Sequence, residues 1–226
     1  MADLPIQLAE PFAPRLRAVA DVEGKIPRAL EALGPLVGRD VGYLDLPAGP
    51  LRERLSATGA AGRYLACTRP LAIDAADGSL DVLVSLWSGF RGVHRAELRE
   101  ADRVLRPGGR LLVVHDYGRD DVSALRGSDA PEYGAWSRRD GPFLGGGGFK
   151  IRVLHCFWTF DSVDEAREFL AGAFGASGEA VGARLKRPRL SWNVAIYHRD
   201  RGDAPATESA GRAAPDHPTA TSGRSS

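Results

Sequence analysis

A doubly wound α/β domain with a mainly parallel sheet is the fold this sequence predicts, on three observations. Short apolar runs alternate with amphipathic helical segments from residue 25 onward. One of those runs, RLLVVHDY (110–117), follows directly on Pro107-Gly108-Gly109, as a buried strand follows a helix stop. Two further extended stretches close the body, separated by Pro188. Strands that alternate with helices build a parallel sheet covered on both faces. A closing pair joined by a short connection adds an antiparallel hairpin at one edge.

In chain order, residues 25–37 place Ile26, Leu30, Leu33 and Val37 on one helical face, with Pro27 near the start and Gly38 at the stop. VGYLDL (41–46) is a short apolar run ending in an acid, a buried-strand signal. After PAGP, residues 51–58 form a short helix closed by Gly59, and RYLAC (63–67) is a second strand. The stretch 68–80 is too short for a full helix plus strand, so a second crossover helix is expected to be missing or vestigial. DGS (77–79) is a turn before the β-prone run DVLVSLW (81–87). Residues 95–105 form a helix with Leu98, Ala101 and Leu105 facing inward. Beyond Gly118 the chain is polar and Gly-rich to residue 149, with a short helix around 130–137.

FKIRVLHCFWTF (149–160) is extended and aromatic, and His155, Cys156 and Trp158 in it suit a buried wall or a partner surface. Ser162 and Glu165 make a capping box before a helix ending at Gly175. The two closing strands fall near 178–186 and 190–199. These signals divide the chain into an N-terminal extension (1–24), one domain (25–199) and a tail (200–226). The tail has no aromatic residue, Leu or Ile, so it is expected to be disordered.

Composition narrows the function classes. The 226 residues are 43% hydrophobic and 26% charged, with a formal net charge of +1. That balance lacks the electrostatic footprint of a nucleic-acid binder. The basic cluster Arg184, Lys186, Arg187 and Arg189 reads as a solvated hairpin. Cys67 and Cys156 fit no metal spacing and are expected as free thiols, which suits a cytoplasmic protein. The N-terminus lacks the apolar core of a signal peptide, and no apolar run approaches the roughly 20 residues that span a bilayer. A small-molecule partner is expected, not nucleic acid or membrane; oligomeric state is not encoded legibly.

Four stretches in this order resemble the class I S-adenosylmethionine-dependent methyltransferases, in their small-molecule-type branch. They are VGYLDLPAGP, DGSLDVLVSLWS, ELREADRVLRPGGRLLVVHDY and SVDEAREFLAGAFG with the strands that follow. The resemblance covers roughly residues 25–199, and RVLRPGGRLLVV is its most specific element. It implies a Rossmann-like sheet of order 3-2-1-4-5-7-6 with strand seven antiparallel. It also implies S-adenosylmethionine as cofactor, bound over the carboxyl ends of strands one, two and four, where open α/β sheets bind ligands in general. Asp45, Cys67, Ser85 to Ser88 and His115 to Tyr117 fall at that edge.

Two departures concern the donor. The family's first loop is rich in glycine, whereas here only Gly49 stands at a usual glycine position, and Pro47 and Pro50 remove amide donors. The family ends strand two with an acid that grips the ribose; this chain has Cys67, Thr68 and Arg69.

The candidate cofactor-binding residues are therefore Asp45, Gly49, Cys67, Asp77, Ser85 and Trp87, each with a structural role as the alternative: loop cap, turn glycine, turn former or core ring. His115 and Asp116 are the candidate catalytic pair, because an imidazole accepts a proton near neutral pH. No metal site is expected. Two functions remain open on these residues: methyl transfer to a small molecule, or an inactive methyltransferase-like binding or scaffold domain. A nicotinamide oxidoreductase fits poorly, as no G-x-G-x-x-G follows the first strand.

Overall fold

The computed structural model describes residues 5–68, 71–91, 93–126 and 133–202. The expected disordered tail falls, from residue 203, outside the described residues. In chain order the strands are β1 (Val41–Leu44), β2 (Gly62–Leu65), a small ribbon of β3 (Cys67–Thr68) and β4 (Ala72–Ile73), β5 (Leu80–Leu86), β6 (Leu105–Asp116), β7 (Lys150–Thr159) and β8 (Arg189–Asp200). Six of them form one sheet in the order β2-β1-β5-β6-β8-β7. β2, β1, β5 and β6 are mutually parallel, and β8 runs antiparallel to both β6 and β7.

Alternation along the strands sends side chains to two apolar layers. Val82, Val84, Leu86, Leu112 and Val114 face one layer, and Leu83, Leu111 and Val113 the other. The first layer is covered by α1 (Phe12–Val19), α2 (Lys25–Leu33), α3 (Pro50–Ala57) and α7 (Val163–Gly182), through Leu16, Leu30, Leu55 and Leu170 among others. The second is covered by α4 (Arg95–Val104), through Leu98, Ala101 and Val104, and by Phe143 of a π-helical turn, Pro142–Gly146. Two short helices, α5 (Asp121–Ala124) and α6 (Tyr133–Trp136), lie in the connection after β6. Helix α1 buries Ala13, Leu16 and Val19, so the segment before residue 25 contributes to the core.

Three expectations need correction. The stretch 178–186 is not a strand: α7 continues to Gly182, with only Gly175 off helical geometry (φ 53°, ψ −133°). The chain bends there, and Gly178 then lies so close to Leu170 that a Cβ would sit 1.8 Å from its carbonyl oxygen. Both glycines serve a folded-back helix, whereas the sequence places a stop at Gly175. The antiparallel pair at the sheet edge is therefore β7 with β8, joined by α7 and not by a tight turn. Second, Val37 lies beyond the end of α2 and is exposed.

Third, among the described residues the sheet has no strand in the position that the resemblance numbers three. At that place the chain doubles back as the β3–β4 ribbon, Cys67 opposite Ile73. Arg103 of α4 pins the ribbon, donating to the Ile73 and Ala75 carbonyls at 3.0 and 2.9 Å, while Glu100 accepts from the Ile73 amide at 2.7 Å. Residues 71–79 contain no helix, as the shortness of the stretch implied.

Candidate functional site

Because β1, β2, β5 and β6 are parallel, their carboxyl ends share one edge, and most candidate residues lie along it. The backbone there is strained. Asp45, Trp87 and Phe90 have φ of 48°, 56° and 60°, a region L-residues rarely occupy. Each such residue costs of order 1–3 kcal/mol and persists only where surroundings over-determine it.

At the β1–β2 end, Asp45 is already engaged. One carboxylate oxygen accepts from the Cys67 amide at 3.0 Å and the other from the Cys67 thiol at 2.8 Å. The Asp45 amide in turn donates to the Leu65 carbonyl. Asp45 and Cys67 thus clamp β1 to the ribbon. Gly49 precedes α3 with φ 149° and ψ −176°, and a Cβ on it would meet only Arg17 at 3.7 Å. The glycine is there for conformation, with space beside it.

Trp87, at the end of β5, is buried and donates its indole N–H to an Asp116 carboxylate oxygen at 3.1 Å. Trp192 of β8 donates to the same oxygen, also at 3.1 Å, and the two indoles stack with centroids 5.5 Å apart. The second Asp116 oxygen pairs with Arg126, whose guanidinium also reaches the Pro5 carbonyl at 2.7 Å. Burial pushes the Asp116 carboxyl up to about 6, opposed by Arg126 and the two indoles. All three partners are donors, so the arrangement suits the ionised carboxylate that is present at neutral pH.

His115 points to the opposite layer. Its Nε2 lies 3.0 Å from the Gly89 carbonyl oxygen. A carbonyl only accepts, so Nε2 carries the proton and Nδ1 keeps its lone pair. That Nδ1 is buried without a hydrogen-bond partner among the described residues. Burial, aided by the positive charge of Arg91, pushes the imidazole down to about 3 and keeps it neutral. Trp136 and Phe143 cover the ring, with centroids 5.0 and 6.0 Å away. Ser85 is on the same side. Its hydroxyl accepts from the Gly89 amide at 3.1 Å and lies 3.0 Å from the Ser88 hydroxyl.

The candidate residues therefore separate into distinct groups. His115 and Asp116, adjacent in sequence, do not face one another, since alternation along β6 places them in different layers. Asp77 is at the other edge of the sheet, before the start of β5, and its carboxylate takes a 2.6 Å bond from Arg103. Arg126, Trp192, Trp136 and Phe143 were not picked out from sequence. Trp192 carries a legible signal, sharing strand parity with Val194 and Ile196; Arg126, in a polar stretch, carries none.

No family model matches the chain, and no curated protein matches it. Solved structures do. A candidate methyltransferase from Bacillus halodurans is 13% identical, over 77% of this chain and 98% of that one, with a TM-score of 0.43. A candidate type II methyltransferase from Anaeromyxobacter dehalogenans is 16% identical, over 79% and 97%, with a TM-score of 0.47. A Haemonchus contortus phosphoethanolamine N-methyltransferase in complex with S-adenosylhomocysteine is 17% identical, over 76% and 52%, with a TM-score of 0.41. The strand order, with its reversed β8 between β6 and β7, carries the assignment: this is a methyltransferase-like fold of class I type, lacking one edge strand.

S-adenosylmethionine, the cofactor this fold implies, can be tested against the residues present. Its ribose hydroxyls need an acceptor at the end of β2, and Cys67 stands there with its amide and thiol both turned to Asp45. Pro47 and Pro50 withdraw two amides from the first loop. The residues do not fit the donor. No helix among the described residues is long and apolar enough to cross a membrane, and no metal-binding group of side chains occurs among them.

Proposed function

We propose that this chain is a methyltransferase-fold binding module that has given up the methyl donor. The observation that carries the reading is the Asp45–Cys67 clamp. The carboxylate best placed to meet a cofactor is spent on the strand end that should itself supply an acid. Charge-assisted hydrogen bonds to ribose hydroxyls are worth about 1.5–3 kcal/mol each, and their loss lowers donor affinity by orders of magnitude. Isothermal titration with S-adenosylmethionine and S-adenosylhomocysteine tests it. The expected result is no saturable heat up to about 1 mM ligand; saturable binding at micromolar concentrations overturns it.

A second reading, an S-adenosylmethionine-dependent methyltransferase acting on a small molecule, is favoured by two observations. A Cβ at Gly49 would meet only Arg17, in ordinary contact at 3.7 Å, and His115 Nδ1 is a neutral lone pair near the carboxyl edge. In that reading His115, too weakly basic at about 3 to take a proton, only accepts a hydrogen bond at Nδ1, and Asp116 only holds the sheet ends together. Cys67→Asp would then raise donor affinity at least about tenfold. An unchanged affinity counts against it.

A further inference from the structure

Beyond the donor edge, the turn between α7 and β8 forms a cleft of about 300 Å³. Val181, Leu185 and Phe157 give it an apolar lining, and Arg184, Lys186, Arg187 and Arg189 ring it with four cations. Arg189 is partly committed: its guanidinium is 4.2 Å from the Phe157 ring centroid and 3.9 Å from Glu23. Arg184, Lys186 and Arg187 are exposed, and their side chains make no ion pair or hydrogen bond among the described residues.

The one carboxylate in the lining does not answer them. Asp121 directs one oxygen to Ser191, accepting from its amide at 2.9 Å and its hydroxyl at 2.6 Å. Its own amide donates to the Ser191 hydroxyl at 3.1 Å. Asp121 is thereby fixed to the start of β8 and makes no ion pair with the turn, so the lining sets four cations against one carboxylate and stays net positive. Closely spaced like charges repel within the roughly 8 Å screening length of physiological salt. An anion seated among them relieves that repulsion, and guanidinium groups suit carboxylate and phosphate oxygens by geometry as well as charge.

We propose that the cleft between Phe157, Val181 and the 184–189 turn binds a small amphiphilic anion, a carboxylate or phosphate head on an apolar body. The head lies among Arg184, Lys186 and Arg187, and the body rests on Val181, Leu185 and Phe157. The volume is at the lower end of small-ligand sites, which suits a one- or two-ring body. The proposal does not rest on the loss of the methyl donor, because none of its residues belongs to the Asp45–Cys67 edge.

The test titrates the full chain with 1-naphthyl phosphate, 1-naphthoate and neutral 1-naphthol, separately, at low salt and at about 0.5 M sodium chloride. At low salt one or both anions should bind saturably with one-to-one stoichiometry. The naphthol should bind about tenfold more weakly or less, and salt should weaken the anions but not the naphthol. Whichever anion binds more tightly identifies the head group. The double variant Arg184→Glu/Arg187→Glu, altered only at exposed positions, should keep its melting temperature and lose anion binding about tenfold or more. Anions that bind no better than naphthol, or do not bind at all, overturn the proposal. So does unchanged binding in a folded double variant. An S-adenosylmethionine titration on the same samples reports separately on the donor edge, so the two readings fail independently.

Discussion

The two ends of the sheet have been built to different standards. On the β6–β8–β7 side the strands are 12, 12 and 10 residues long, and their carboxyl-edge polar groups are held in a closed set, Asp116 with Arg126, Trp87 and Trp192. On the β2–β1 side the strands are four residues each, and a ribbon of two-residue strands stands where another crossover would be expected. The fold survives this asymmetry because the core is continuous beneath both ends. Burial of Val41, Tyr43, Val82, Val84, Leu112 and Val114 against α1, α2 and α3 does not depend on the lost strand. What the difference teaches is that the packing that holds the fold and the Asp45–Cys67 clamp occupy separate parts of one edge, so one can change while the other stays intact.

The comparison can be broken most decisively at Asp116. Asp116→Ala removes the shared carboxylate from the largely buried Arg126 guanidinium and from two indole N–H groups. It should destabilise the fold by about 3–5 kcal/mol, read by urea unfolding; a loss below about 1 kcal/mol would mean the closed set contributes little. Next is Gly178→Ala, which drives a methyl into the Leu170 carbonyl. About 1–3 kcal/mol of destabilisation is expected, and a neutral variant would deny the bend at Gly175 its packing role. On the eroded side, Arg103→Ala should cost about 1–2 kcal/mol through its bonds to the ribbon. Amide exchange should accelerate around Ile73 and Asp74 and remain slow in β6, whereas uniform acceleration would show that the two sides are not separable.

The smallest effect in the parent protein concerns pH. His115 is lowered from 6.5 to about 3, so its unfolded form binds a proton first, and stability is lost as pH falls from 6.5 toward 3. Asp116 is raised from 3.8 to about 6, so its folded form holds the proton more tightly, and stability is lost as pH rises from 3.8 to 6. Between about pH 4 and pH 6 the two oppose each other, and the parent should show a shallow dependence from this pair. His115→Gln removes one arm. Its stability, measured against the parent's, should rise on acidification across that window by up to about 1.4 kcal/mol per pH unit. A variant with the parent's profile would show that His115 is not held neutral by burial.

Much of the fold was legible because its signals are local. The β6 run, the 95–105 helix and the absence of a helix from residues 71–79 follow from periodicity, β-prone composition and chain length, although the helix ends at Val104 and Pro107-Gly108-Gly109 lie inside β6. The failures have a common cause in long-range packing. Gly175 looks like a terminator, and only the approach of Gly178 to Leu170 shows why a bent helix needs both glycines. At the site, position along the edge was readable but direction was not fully used: strand alternation alone separates His115 from Asp116. Asp45 and Cys67 were placed at the edge by sequence, yet their mutual engagement depends on the turn-back of a ribbon that no local pattern announces. Arg126 lay hidden because its value comes from the carboxylate it meets ten residues upstream and from burial.

The central claim is that the carboxyl edge at Asp45, Gly49 and Cys67 no longer receives a methyl donor. Amide resonances of those three residues, followed by nuclear magnetic resonance as S-adenosylhomocysteine is added to about 1 mM, test it most directly. The account predicts that all three stay in place, with the Cys67 amide still bonded to Asp45. Saturable shifts at Gly49 and Cys67, while β7 and β8 remain unperturbed, would contradict it and return the edge to a working donor site.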